Sequence, residues 1–339
     1  MGFQDILGHE RAKQVLQTAI QRDRVHHAWL LVGPQGVGKR TLAMTFARAL
    51  NCERQDGEAC EQCVSCQKYR AQVHPDIKVV GNEDRAALQL KIEEVRETIM
   101  RFISLRIYEA RYRVVVVVDA QRMNENTANA LLKTLEEPPQ RTVFLLTAPS
   151  LNSMLPTIRS RCQKLRLGPV EDEALAQWLT HQHQQPLEQA RLYARLADGS
   201  VGRALSMTAE QLSTRSTFLE AVLGLATGQK PDAFQLAGQL SPDRAGLKVQ
   251  LEYLESLWRD VAVHQLAPQM RLRNVDYAPQ IAELAGRYSG VSLQKLIKSA
   301  GEARGALKLY INPPMILEQL LMELSRVQRV SYGQQTRRA

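Results

Sequence analysis

The chain has 339 residues, 44% of them hydrophobic and 23% charged, with a formal net charge of +9. That length exceeds one ordinary core and predicts two or three domains of a soluble globular protein. The longest apolar runs, Trp29–Val32 and Val114–Val118, are far too short to span a bilayer, and the opening MGFQDILGHERAKQ lacks the apolar stretch of a secretory signal, so the cytoplasm is the expected location.

The first half alternates strands and helices. Ala28–Val32 is an apolar run ending at Gly33, as a buried parallel strand requires. From Lys39 to Asn51, Leu42, Phe46 and Leu50 recur every fourth residue and predict an amphipathic helix. Ile77–Val80 reads as a short strand, and Ile92, Val95, Ile99 and Phe102 mark another helix. Val114–Val118 is a run of valines ending at Asp119 and is strongly β. Met123–Glu137 reads as helix, stopped by Pro138 and Pro139. Val143–Thr147 and Lys164–Leu167 supply the last strands. Such alternation predicts an α/β parallel sheet covered on both faces. After Gly168 and Pro169 no β-branched run follows. Ala174–Leu179 and Leu187–Ala197 read as short helices, with a turn DGSVG before another. From about Gln211 the pattern is all-α, broken at Pro231, Pro242 and Pro268, with a polar, basic tail from Gln328 that is expected to fray.

Two motifs carry chemistry. GPQGVGKRT (Gly33 to Thr41) nearly fits the phosphate-loop pattern G-x-x-x-x-G-K-[ST]. Amides around Gly33, Gly36 and Gly38 would converge on phosphate oxygens, and Lys39 would reach the β/γ-phosphates. Arg40 stands where a hydroxyl should ligate magnesium, and a guanidinium cannot ligate a metal. Thr41 comes one position late, rotated by roughly 100° round the helix. The loop therefore either binds a nucleotide without handling Mg²⁺ well or binds nothing. Asp119 ends its strand facing that loop, as a metal-site acid or as a cap of the next helix. It is followed by Ala120, which cannot orient water. The second motif is Cys52, Cys60, Cys63 and Cys66, spaced C-x7-C-x2-C-x2-C. These are four of the five cysteines. In a reducing compartment the spacing points to a closed, structural Zn²⁺ site, against four free thiols. Cys162 reads as a small apolar residue. Arg161, between Pro156 and the last strand, is either a solvated loop charge or an arginine that completes a neighbour's γ-phosphate site. Arg203 in GSVGR has the same ambiguity. The net charge suits nucleic acid or an acidic partner without requiring either, and aromatic residues, 5% of the chain, argue against a base-stacking single-strand binder.

Together LGHERAKQVL, RVHHAWLLVGPQGVGK, the four cysteines, NALLKTLEEPP (Asn129 to Pro139), PTIRSRC (Pro156 to Cys162) and GSVGRAL (Gly199 to Leu205) resemble the bacterial DNA polymerase III clamp-loader subunits, which are AAA+ proteins. The resemblance is close over about the first 210 residues and loose beyond. It implies a RecA-like AAA+ domain over 1–167 with a zinc module near 52–66, a helical lid over 168–210, a C-terminal helical collar over 211–335 and a tail at 336–339. Arg40 and Ala120 depart from the gamma/tau motor branch and look like the delta-prime, or stator, branch. That branch implies little or no ATPase activity in the chain itself and no polymerase site. It implies gamma/tau and delta partners in a heteropentamer, and a role in ATP-dependent loading of the sliding clamp on primed DNA. By match, Arg161 looks like a finger acting in trans, Arg203 like a lid arginine that senses ATP or ADP, and Thr147 like a strand-end polar sensor. The alternatives are a gamma/tau-like motor and, on charge alone, a DNA-binding scaffold outside replication.

Overall fold

The computed structural model describes residues 2–81, 92–123, 125–229, 232–240, 243–309 and 311–335. The chain divides into two compact units, 1–205 and 206–339.

In the first unit α1 (Glu10–Gln21), β1 (Ala28–Val32), α2 (Lys39–Leu50), α3 (Val64–Arg70), β2 (Ile77–Val80) and α4 (Ile92–Ser104) follow in order. Next come β3 (Arg113–Val117), α5 (Glu125–Glu136), β4 (Thr142–Ala148), α6 (Pro156–Arg161) and β5 (Gln163–Arg166). The strands form one parallel sheet in the order β2-β3-β4-β1-β5. The three central strands are buried on both faces, which is why they read as unbroken apolar runs. Alternation decides which face each residue serves. Trp29, Leu31, Val114, Val116, Val143 and Leu145 share a core with Leu16 of α1 and with Leu42, Phe46 and Leu50 of α2. Leu30, Val32, Val115, Val117, Phe144 and Leu146 face the other way, onto Ile99 of α4, Leu131 and Leu135 of α5 and Ile158 of α6.

Several boundaries differ from the sequence reading. The helix expected from Met123 begins at Glu125, after a separate 3-10 turn Ala120–Arg122. Asp119 adopts a left-handed conformation at φ 55°, which breaks the chain direction between β3 and that turn. α1 was not anticipated. Its buried Ala12, Leu16, Ala19 and Ile20 recur at helical spacing but include two small residues.

After Gly168 the first unit continues with α7 (Asp172–His183), α8 (Leu187–Ala197) and α9 (Val201–Ser206), which ends at the boundary between the units. Pro169 and Pro186 precede this helical part and its second helix.

The second unit is α10 (Ala209–Thr227), α11 (Ala233–Leu240), α12 (Arg244–Leu266), α13 (Ala278–Arg287), α14 (Gly290–Lys308) and α15 (Pro313–Gln335) around one core. Leu247, Leu251, Leu254, Trp258 and Val261 form the buried stripe of α12. Pro231 and Pro242, expected as breaks, lie outside the described residues. Pro268 follows the end of α12, as expected. The backbone stays helical past Gln328 to Gln335, and 336–339 lie outside the described residues. A buried polar knot ties α10 and α12 to the loop before α13. Arg215 donates to Asn274 Oδ1 at 2.7 Å, and Asn274 donates its backbone and side-chain N–H to Asp260 Oδ2 at 2.7 and 2.8 Å. Among the described residues no helix is long and apolar enough to cross a membrane.

Candidate functional site

Parallel pairing brings the carboxyl ends of β1, β3 and β4 to one edge, where crevices of α/β sheets take ligands. Val32 is level with Ala148, and Val117 with Leu146. From β1 the chain enters the glycine loop: Gly33 donates to Ala148 O at 3.2 Å. Gly36 and Gly38 sit at φ 78° and 103°, which side-chain-bearing residues rarely adopt. A β-carbon at Gly36 would also lie 2.2 Å from Ser200 Oγ. α2 then starts at Lys39.

Five consecutive carbonyls of this loop accept hydrogen bonds from within the first unit. Lys39 Nζ donates to Gly33 O and Pro34 O, both at 2.7 Å. Ser200 Oγ donates to Gln35 O at 3.0 Å, and Gly202 N to Gly36 O at 2.8 Å. His9 Nε2 lies 2.8 Å from Val37 O. Three of these carbonyls, of Gln35, Gly36 and Val37, are held by groups from outside the loop, and the other two engage the Lys39 ammonium that would otherwise meet a phosphate. Burial lowers the Lys39 amine from its ordinary pKa, against the opposing pull of the Asp119 carboxylate. Arg40 is exposed and Thr41 half-buried on the first turn of α2.

Asp119 and Thr147 meet at the same edge. Thr147, 1% exposed, accepts the Asp119 backbone N–H on Oγ1 at 3.0 Å. The Asp119 side chain makes no cap bond to the turn that follows. Ala120 is buried. Arg203 lies one residue beyond Gly202, its backbone N–H donating to Ser200 Oγ at 3.2 Å. The structure therefore gathers Gly33, Gly36, Gly38, Lys39, Asp119 and Thr147 at one edge, with the start of α9 against the loop. His9 and Ser200 were not singled out as site residues, although LGHERAK and GSVGR contain them. Nothing in their spacing says which carbonyl they would reach.

The four cysteines form a second site. Their sulfurs all lie within 4.8 Å of one another. Cys52 follows α2, and Cys63 caps α3, the helix that carries Cys66. Backbone N–H groups of Cys60, Cys63 and Cys66 approach the sulfurs of Cys52, Cys60 and Cys63 at 3.2, 3.3 and 3.5 Å. Those from Cys63 and Gln62 draw the Cys60 thiol down to about 6, whereas burial pushes the Cys52 and Cys66 thiols up. A tetrahedral ion with metal–sulfur bonds of about 2.3 Å needs sulfurs about 3.8 Å apart. The cluster therefore fits one soft divalent ion with small adjustments. Nearby His74 is committed elsewhere, its Nε2 3.1 Å from Ser65 Oγ and its Nδ1 accepting Asp76 N–H. Four thiolates close the coordination shell and leave no position for a substrate. Cys162 is apart from them, buried with Ile158 on the α6 side of the sheet, its thiol pushed by burial up to about 12.

Arg161 differs from its expected setting. It ends the helix α6 rather than lying in a loop, because Pro156 starts a helical turn too short to show periodicity. Its Nη1 donates to Thr157 O at 2.8 Å and to Ser160 Oγ at 3.3 Å, and its Nη2 pairs with the Glu136 carboxylate. The side chain is 32% exposed.

The family described as DNA polymerase III, delta subunit, matches residues 8–171, and that described as DNA polymerase III, delta subunit, C terminal, matches 209–326. The chain is 28% identical to DNA polymerase III subunit delta' of Bacillus subtilis (strain 168) over 319 residues, 93% of this chain and 95% of the relative. It is 30% identical to DNA polymerase III subunit delta' of Escherichia coli (strain K12) over 314 residues, 91% of this chain and 92% of the relative. With DNA polymerase III subunit gamma of Buchnera aphidicola subsp. Acyrthosiphon pisum (strain APS) it shares 32% identity over 180 residues, 53% of this chain and 48% of the relative. The two delta' relatives are matched almost end to end on both chains, at up to 30% identity, so this chain belongs to the family of bacterial DNA polymerase III delta' subunits.

Proposed function

We propose that this chain is the stator of a cytoplasmic clamp loader. It joins gamma/tau and delta subunits in a heteropentamer, supplies Arg161 in trans to a neighbour's ATP site, and so assists loading of the sliding clamp on primed DNA. In this reading α7–α9 form the lid and α10–α15 the collar. What carries the reading is the division of hydrolytic parts. Arg161 is presented, partly exposed, at the end of a helix anchored in the core. Beside the chain's own loop, Arg40 replaces the metal-ligating hydroxyl and Ala120 the water-orienting acid. The planar guanidinium would stabilise charge that develops on a neighbour's transferring phosphate. ATP or ADP would be held here by the loop amides and Lys39, without turnover. The four cysteines would hold Zn²⁺, which supplies a covalent-strength cross-link and no reaction chemistry.

The test is the complex rebuilt with Arg161→Ala. DNA-dependent ATPase should fall in part, and clamp loading should fall by an order of magnitude or more, because arginine fingers elsewhere contribute roughly 10³-fold. Arg161→Lys should not restore it, since a flexible point charge lacks the planar fork. Wild-type rates in both assays, with the variant confirmed in the complex, would remove the trans-acting role. The motor reading is favoured by the loop glycines, Lys39 and the 32% identity with a gamma subunit over 180 residues; steady ATP turnover by the isolated chain would revive it.

A further inference from the structure

The motif NALLKTLEEPP has no part in the sites above, yet its Glu136 meets the arginine of PTIRSRC. Glu136 is the last residue of α5, which Pro138 prevents from continuing. Arg161 is the last residue of α6. Each follows or precedes a core anchor: Leu135, 1% exposed, comes just before Glu136, and Cys162, 7% exposed, just after Arg161. Both anchors belong to one cluster with Leu131 and Ile158. The ion pair therefore joins two helix ends whose backbones are fixed by the same core.

The three bonds from the guanidinium leave from Nη1 and Nη2, to Thr157 O, Ser160 Oγ and the Glu136 carboxylate. The first two are local to α6. Among the described residues, only the Glu136 contact ties the guanidinium to a second element. An arginine with local contacts alone would sample many rotamers at a partly exposed helix end. A planar fork must arrive in one orientation to serve a phosphate.

We propose that Glu136 is a positioning residue for Arg161, orienting the guanidinium before it meets a neighbour's phosphate; the proposal rests on the trans-acting reading above. The pair is 32% exposed on the arginine and 49% on the glutamate. Pairs this exposed are weak. Glu136 therefore biases the rotamer without locking the arginine away from a phosphate, which binds it more strongly. The expected effect is correspondingly small, about two- to fivefold.

The experiment compares reconstituted complexes carrying wild type, Glu136→Gln, Arg161→Ala and both substitutions. DNA-dependent ATPase is measured across ATP concentrations. Glu136→Gln should slow the neighbour's site about two- to fivefold, and so lower the kcat of the complex by less than Arg161→Ala does, with KM for ATP unchanged, as for an interaction made only in the transition state. Melting temperature, zinc content and assembly should match wild type. In the Arg161→Ala background Glu136→Gln should cause no further loss. Glu136→Asp keeps the charge on a shorter arm and should fall between wild type and Glu136→Gln. With Arg161→Ala impaired, three results would overturn the role of Glu136 and leave the finger standing: a wild-type kcat for Glu136→Gln, a raised kcat, or an equal loss in both backgrounds. A wild-type rate for Arg161→Ala would instead remove the finger reading, and this inference with it.

Discussion

Replacing Cys63 by Ser should release the metal and unfold residues 52–66 locally. The magnitude follows from how little apolar core that segment owns. Among the described residues its cluster consists of Cys52, Ala59 and Cys66, with Cys60 and Cys63 packed against it. Ordering fifteen residues costs about 22 kcal/mol at about 1.5 each. Burial of that small cluster returns about 4 kcal/mol. Side-chain ties to the rest of the unit add about 6 more at about 1 kcal/mol each: Phe3 N to Glu58 Oε2 at 3.1 Å, Gln17 Nε2 to Glu58 Oε1 at 2.8 Å, Gln21 Nε2 to Asp56 O at 2.7 Å, Arg48 with Glu61 at 3.0 Å, Arg111 Nη1 to Gln55 Oε1 at 2.7 Å, and Ser65 Oγ with His74 Nε2 at 3.1 Å. The shortfall, about 12 kcal/mol, is the size of a structural zinc site, about 10–16. Losing the module also strips Glu61 from Arg48, which is 6% exposed. That change should destabilise the first unit by about 2–3 kcal/mol, discounted for the more exposed glutamate. For a unit of this size it lowers the melting temperature by about 5–10 °C. Elemental analysis should find about one zinc per wild-type chain and far less in the variant. Hydrogen exchange should show protection lost across 52–66. Wild-type protein free of zinc under non-chelating conditions, or a variant with unchanged protection there, would refute the reasoning.

The isolated chain should show negligible ATP turnover; a rate on the order of 1 per second, abolished by Lys39→Ala, would contradict the roles given to Arg40 and Ala120. Asp76, 2% exposed, accepts N–H bonds from Tyr108, Glu109 and Ala110, each at 2.9 Å. Burial alone would raise its carboxyl pKa, but the backbone bonds from Glu109, Tyr108 and Ala110 outweigh it and hold the group below the usual carboxylate range. A depressed carboxyl adds stability above its unfolded pKa, near 4, which is lost as pH falls through the lower folded value. Asp76→Ala should therefore cost about 3 kcal/mol at neutral pH and flatten the loss of stability below about pH 4, measured by denaturant titration; equal pH profiles would count against it. Asn274→Ala should leave Arg215 and the fully buried Asp260 each short of a partner, lowering the stability of the second unit by about 2 kcal/mol while the zinc site stays intact; a change within about 0.5 kcal/mol would show that the knot is not cooperative.

Local signals determined the elements whose burial is complete or whose chemistry is strung along the chain. β1, β3 and β4 are covered on both faces, so each carries an unbroken apolar run, Ala28–Val32, Val114–Val117 and Val143–Leu146, that is legible without knowing its neighbours. The four cysteines and the glycine loop are likewise contiguous, and their spacing already limits what they can hold. Short elements were harder. α6 has six residues, less than two full turns, so no periodicity marks it, and Arg161 read as a loop residue. Only the tertiary structure decided which distant groups meet. Ser200 reaches the loop carbonyl of Gln35 across 165 positions, His9 reaches Val37 across 28, and Glu136 reaches Arg161 across 25. A side chain's periodicity reports which face of its own element it occupies. Its partner depends on the order in which strands pair and on where each helix end falls, and those follow from packing the whole sheet rather than from any local run of residues.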